Sequence, residues 1–273
     1  MASKNNEHPS HEQLPGISHA EEMLPHGLKA VHLIEPSFSK ELAGYRSWSK
    51  KGRLNAVDTV ANGAEAPLNM VYQTGNGNVV VRKVAEKGIE FRALKEKLEG
   101  LGNLGIPFQK PLAIVKSNDG GIELISRLDK DNVPLCQIIT KIEGKRRDKV
   151  FSSVFDALKE LHSNGVVHGD LNLGSIILHE KQGKASFVLG EHLGLDGKSG
   201  SSFYPAFLRQ MAEEDTEANH RCLDVAFLQF YLGLAGVNDA AKVVSKNYPR
   251  SSDFLAKVNR FLSVLNNRYQ ELN

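Results

Sequence analysis

The residues best placed to do chemistry lie in one short loop around Asp170. Residues 166–178 place this carboxylate between two aliphatic, strand-like runs, with His168 shortly before it and Ser175 shortly after it. A carboxylate in such a loop can receive the proton of an attacking hydroxyl group. Phosphoryl transfer needs that base together with a cation for the phosphates and a metal ion that bridges them. The loop therefore indicates a phosphate site, whose other parts must be sought elsewhere in the chain.

A helix is predicted to deliver this loop. Between residues 150 and 161, apolar side chains recur at intervals of one, three and four, as on the buried face of an amphipathic helix. The pattern stops at Asn164 and Gly165, a usual way for a helix to end. Two strands are predicted in the second half, over residues 176–179 and 186–189. Two further helices are predicted over residues 223–234 and 254–265.

The first half has a different pattern, which predicts a small antiparallel sheet. Short apolar runs alternate with Gly- and Asn-rich turns, and one amphipathic helix is predicted over residues 89–98. The predicted strands are residues 56–61, 68–73, 79–84, 111–116 and 122–126. Residues 1–40 are polar, with irregularly spaced histidines that lack a metal-binding pattern, and are interpreted as a flexible leader for targeting, secretion or docking.

Composition limits the class of protein. The chain has 273 residues, 41% of them hydrophobic, and a net charge of +2, which favours a globular protein and gives no support for a nucleic-acid partner. No apolar run is long enough to span a membrane, and no cleaved signal peptide is recognisable. Cys136 and Cys222 lack metal or redox spacing, so reduced thiols in a cytoplasm are expected.

The loop His168-Gly169-Asp170-Leu171 resembles the H-R-D-L catalytic loop of the protein-kinase-like superfamily. The helix that contains Asp224 also resembles a kinase helix, whose aspartate binds the backbone of that loop. The resemblance implies an α+β fold with two lobes. Residues 41–130 would form an N-lobe with a small antiparallel sheet and one helix, and residues 131–273 a mainly helical C-lobe. It also implies that Asp170 is the catalytic base.

The resemblance implies a set of nucleotide-binding residues in the N-lobe. Residues 79–83 are similar to the V-A-I-K strand of kinases, so Lys83 would contact the phosphates and Val81 the base, with Arg82 as the other register. Glu90 would pair with the lysine, and Glu86 is the alternative. The glycine-rich loop is poor. Gly63 is its remaining glycine, while Pro67 removes an amide donor and Glu65 adds a negative charge.

Both metal positions of the kinase pattern are altered. Ser175 stands where kinases have a metal-binding asparagine, and a hydroxyl is a weaker ligand than an amide carbonyl. Gly190 stands in the place of the D-F-G aspartate. Glu191 is one residue late and needs a bulge to point the same way, and Asp196 needs a longer hairpin.

Two functions follow from the resemblance. The leading hypothesis is a pseudokinase or weakly active kinase that acts by binding a protein partner and has no need of a cofactor. The alternative is an active atypical protein kinase that uses ATP with Mg²⁺ or Mn²⁺, Asp170 as base, and Glu191 or Asp196 for the metal. The loop is also similar to those of small bacterial kinases injected by type III secretion. That similarity implies a bacterial effector secreted into a host cell, where the partner or substrate would be a host protein.

Overall fold

The computed structural model of the protein describes residues 28–53, 69–83, 91–102, 104–109, 111–118, 121–169, 171–188, 194–195, 218–248 and 251–272. The strands are β1 (Leu28–Leu33), β2 (Ser49–Arg53), β3 (Asn69–Thr74), β4 (Gly77–Lys83), β5 (Phe108–Gln109), β6 (Pro111–Ser117), β7 (Ile122–Leu128), β8 (Asn132–Pro134), β9 (Val166–Val167), β10 (Ile176–His179), β11 (Lys184–Val188) and β12 (Gly194–Leu195). The helices are α1 (Ser39–Leu42), α2 (Phe91–Gly102), α3 (Leu135–Ile138), α4 (Gly144–Ser163), α5 (Ala218–Leu234), α6 (Ala240–Asn247) and α7 (Ser252–Leu272).

The first half of the chain forms a six-stranded sheet in the order β1-β6-β7-β4-β3-β2, and every neighbouring pair is antiparallel. Four of its strands were predicted from the alternating apolar runs, whereas the strand predicted over 56–61 lies outside the described residues. The structure adds β2, and it adds β1 within the segment interpreted as a leader. β1 belongs to the sheet because its residues pair with β6.

The segment between β1 and β2 covers the outer face of this sheet. Phe38 and Leu42 are buried against Val79, Val81 and other apolar side chains of the sheet. The carboxylate of Glu41, whose side chain is only 4% exposed, accepts two hydrogen bonds from Arg127 of β7, at 2.8 and 3.0 Å. This apolar cover leaves the opposite face of the sheet toward the second half of the chain.

The second half is mainly helical. Helix α5 is its centre, since residues 222–230 are all buried, and α7 packs against it. Helix α4 packs on the small sheet β5-β11-β10-β8, with Phe151, Phe155 and Leu158 in the main core. None of the helices in the described ranges is both long and apolar enough to cross a bilayer. The loop that follows β9 is therefore held between a rigid helical body and the small sheet.

Candidate functional site

The start of the candidate catalytic loop is held by Asp224 of α5. Its carboxylate accepts the backbone N–H of His168 at 2.7 Å and that of Gly169 at 3.0 Å, and its side chain is completely buried. Gly169 has a φ of +76°, a conformation that is strained for residues with a side chain. A buried carboxylate that accepts two amide protons is well satisfied. The backbone of the two residues before Asp170 is therefore held in place by helix α5.

A buried histidine extends this anchor into the helical lobe. The Nε2 of His162, at the end of α4, lies 2.9 Å from an oxygen of Asp224, and its Nδ1 receives the hydroxyl proton of Tyr248. The side chains of His162, Asp224 and Tyr248 are all fully buried. Three segments that are distant in the sequence thus share one hydrogen-bond network, which makes the loop part of the core.

His168 supports the other side of the loop. Its ring is buried, lies 5.6 Å from the ring of Phe187, and places Nε2 at 3.3 Å from the carbonyl oxygen of Val188. Val188 is the last residue of β11 and lies two residues before Gly190, which stands in the place of the D-F-G aspartate. His168 therefore links the catalytic loop to the strand that leads to the candidate metal site.

The hydroxyl group of Ser175 closes the turn that follows Asp170. Its Oγ donates to the carbonyl oxygen of Asn172 at 2.8 Å and accepts the N–H of the same residue at 3.0 Å. The side-chain oxygen of Asn172 in turn accepts the N–H groups of Gly174 and Ser175, at 2.9 and 3.0 Å. Ser175 is fully buried, so its only proton and one lone pair are used inside the loop.

Two cations end strand β4, and they point to opposite sides of the sheet. Lys83 is exposed and shares a face with Val81, whose side chain packs in the outer cluster with Phe38 and Leu42. Arg82 shares the other face with Val80 and is only 1% exposed. Arg82 is thus the cation on the face that turns toward the helical lobe. The assignment of Lys83 and Val81 to the nucleotide, with Arg82 as the other register, stays a prediction.

An apolar cluster joins the two halves of the molecule beside Arg82. Val71, Val80 and Leu128 of the large sheet form one buried cluster with Ile177 and Val188 of the small sheet. Val80, Ile177 and Val188 are 1%, 0% and 2% exposed, respectively. We call these five residues the cleft cluster. A cavity of about 300 Å³ opens beside it, and its described lining includes Val71 and Leu128 but none of the other three.

Several predicted site residues lie outside the described part of the chain: Asp170, Gly63, Glu90 and Glu191, and the alternatives Glu86, Gly190 and Asp196. Within the described ranges, no group of three or more acidic, His or Cys side chains could hold a metal ion.

Burial raises the pKa of Cys136 to about 11, so this thiol stays protonated at neutral pH. Cys222 is fully buried.

Sequence reasoning missed His162 and Tyr248. The apolar stripe of α4 pointed to Leu161 and gave no reason to bury the next residue. Tyr248 follows a short helix that was not predicted. The sequence held one signal for these two residues, namely Asp224. The kinase resemblance buries this aspartate against backbone N–H groups of the loop, and a buried carboxylate accepts further donors such as the ring of His162.

The sheet with one long helix, the helical lobe and the anchored loop between them define an α+β, bilobal, protein-kinase-like fold. The sequence matches no protein-family model, and it has no significant match among curated proteins. Among solved structures, the chain is similar to the pseudokinase domain of BIR2, an immune regulator of the RLK/Pelle family. The TM-score is 0.51 at 11% sequence identity, and the match covers 90% of this chain and 84% of that one. The predicted fold class is thereby confirmed, and at this identity the likeness concerns the fold alone.

Proposed function

We propose that this protein is a pseudokinase, a kinase-fold protein that acts by binding a protein partner and has lost most or all phosphoryl transfer. The cleft cluster is the observation that carries the proposal. In the kinase resemblance, the nucleotide base lies between the sheet of the N-lobe and the strand after the catalytic loop. Here Val80 belongs to one buried apolar cluster with Ile177 and Val188 at that place. A base could enter only if these apolar contacts were separated, which costs buried apolar area.

Arg82 supports the same proposal. It occupies the inward position of β4, where the resemblance expects the lysine that binds phosphate, and it is 1% exposed. A guanidinium is planar and presents its donors in a fixed fork, so it is not interchangeable with the compact ammonium group of a lysine. A buried arginine in this place fits a structural role better than a nucleotide-binding role.

The metal position that the structure describes adds a further argument. Magnesium and manganese prefer several hard oxygen ligands, among them carboxylates. Ser175 offers a single hydroxyl whose proton is donated to Asn172 and which already accepts one N–H group. Such a hydroxyl contributes little to holding a divalent cation, which weakens the case for ATP-metal binding.

Nucleotide binding can be tested by thermal shift with ATP or ADP, each with and without Mg²⁺ or Mn²⁺. A nucleotide at one hundred times its Kd would stabilise the fold by about 2.7 kcal/mol, or roughly 5–10 °C in Tm for a chain of this size. We expect a shift of less than about 1 °C, because the apolar cleft cluster lies where the kinase resemblance places the base. A metal-dependent shift of several degrees would overturn the proposal. In that case Arg82→Lys, compared with Lys83→Ala, would identify which cation contacts the phosphates.

An active atypical kinase remains the second candidate, and the Asp224 anchor favours it. The backbone N–H groups of His168 and Gly169 are held as a catalytic loop requires. In this candidate, Asp170 would be the base for a protein hydroxyl group, and Glu191 or Asp196 would bind Mg²⁺ or Mn²⁺ with ATP. A buried hydrogen-bond network stabilises the core with or without catalysis, so the cleft cluster decides our preference between the two.

A further inference from the structure

We propose that a groove on the side of the helical lobe binds an acidic and apolar peptide segment of a partner protein. The groove lies between α3, α4 and the turn that joins β10 to β11, and its volume is about 300 Å³. This inference deepens the proposed function and rests on it, because it names the surface and the chemistry through which a partner would be recognised. The surface is separate from the cleft cluster, none of whose residues lines it.

The floor of the groove is apolar. Ile138 of α3, Val150 of α4 and Leu178 of β10 line it, and Ile138 and Val150 are only partly buried by the protein itself. Two partly exposed branched side chains beside a buried leucine offer a patch that an apolar side chain could cover. A volume near 300 Å³ is at the lower end for ligand pockets, which suits one or two peptide side chains better than a large cofactor.

The rim of the groove is positively charged. It carries Arg146, Lys149 and Lys184, against a single carboxylate from Glu180. Glu180 pairs with Arg146 at 2.7 Å, but the two side chains are 45% and 63% exposed, and such surface pairs are weak and easily exchanged. Within the described residues, Lys149 and Lys184 have no ion-pair partner. Carboxylates on a partner would complement these cations and align the segment across the groove.

One wall of the groove is already rigid. The ring of His179 in β10 lies 2.7 Å from the side-chain oxygen of Asn132 and 2.7 Å from the hydroxyl of Ser186. Burial lowers the pKa of His179, so the ring is neutral at pH 7 and leaves the charge of the rim to the lysines and Arg146. A wall that is fixed before binding reduces the entropy lost when a partner docks.

A protein segment fits these features better than a nucleic acid. Phosphate backbones need a long basic track, whereas this rim has three cations around an apolar floor and includes a carboxylate. The chain as a whole has a net charge of only +2. The expected ligand is therefore a short segment with one or two aliphatic side chains flanked by Asp or Glu.

Selection from a displayed library of random 12-residue peptides on the full chain tests this inference. We expect enriched peptides that combine acidic and aliphatic residues. The double substitution Lys149→Glu with Lys184→Glu should weaken their binding by about tenfold or more. Ser153→Tyr, which fills the groove without a change of charge, should weaken it by a similar factor, because Ser153 lines the cavity. Lys29→Glu with Lys242→Glu is the matched control, since both lysines are exposed and neither lines the groove.

The control should stay within about twofold of wild type. The inference is overturned if no peptides are enriched, if the enriched peptides lack acidic residues, or if their binding survives both groove variants. Single-stranded DNA that displaces the peptides, and whose own binding the same groove variants weaken, would also overturn the inference in favour of a polyanion site. Nucleotide plays no part in this selection. A protein that transfers phosphate and still selects groove-dependent acidic peptides would therefore refute the pseudokinase proposal and leave the groove standing.

Discussion

Asp224→Ala is expected to lower the free energy of unfolding by about 3–5 kcal/mol, because it strands several buried polar groups at once. The N–H groups of His168 and Gly169 and the ring of His162 all donate to this carboxylate, inside the core of the helical lobe. Urea denaturation followed by circular dichroism measures the loss. If the variant unfolds during expression, the same anchor can be tested with Tyr248→Phe, which removes the hydroxyl group that bonds to His162 and keeps the ring.

Asp239→Ala provides the matched control for this prediction. Its carboxylate meets Arg147 at 3.4 Å, and the two side chains are 44% and 35% exposed. The expected loss is below about 1 kcal/mol, as for other exposed ion pairs. An Asp224→Ala protein as stable as the Asp239→Ala protein would show that the loop is not held by α5 in the way described.

Glu41→Ala is expected to cost about 2–3 kcal/mol and to loosen the segment that covers the outer face of the sheet. The carboxylate accepts two hydrogen bonds from Arg127 and others from Asn76 and Thr74, so its removal leaves several donors without their acceptor. Limited trypsin digestion should cut the variant faster than wild type at Lys40 and Arg46. Glu99→Ala, at an exposed carboxylate 3.8 Å from Lys95, should change neither stability nor digestion measurably.

The contribution of Glu41 should also depend on pH. Burial alone would raise the pKa of this carboxyl group, but the hydrogen bonds from Arg127, Thr74 and Asn76 outweigh burial and lower it. On acidification, the unfolded chain therefore takes up the proton first. The stabilisation is complete above the ordinary pKa of 4.5 and is lost as the pH falls through the lower pKa of the folded state. Wild type and Glu41→Ala should differ most near pH 7 and converge in acid, and a constant difference would contradict this assignment.

The elements with strong local patterns were predictable from the sequence. The stripe of α4 and the short aliphatic run of β10 identified both elements, and the Gly-Asn turn before β4 marked a hairpin. β1 was missed because its six residues, four of them apolar, follow a long polar segment and were interpreted as part of it. Its pairing partner β6 lies far along the chain, and no local pattern reports such a pairing.

The site was only partly predictable. Asp170, Ser175 and Asp224 follow from a motif, and the structure describes the surroundings of the last two. The choice between Arg82 and Lys83 could not be made from two adjacent cations. It depends on which face of β4 turns inward, and this is a property of the whole sheet. The cluster of Val80 with Ile177 and Val188 is likewise tertiary, because its members come from two lobes. Secretion as a bacterial effector, with residues 1–40 as its signal, stays a prediction.

Phosphoryl transfer from radiolabelled ATP is the most direct test of the pseudokinase proposal. Wild type and Asp170→Ala would be compared with Mg²⁺ and with Mn²⁺, with incorporation followed into the protein itself and into casein as a general acceptor. The apolar cleft cluster, the buried Arg82 and the engaged hydroxyl of Ser175 predict no incorporation above background by either protein with either metal. Metal-dependent incorporation by wild type that Asp170→Ala abolishes would contradict the proposal and identify the protein as an active atypical kinase.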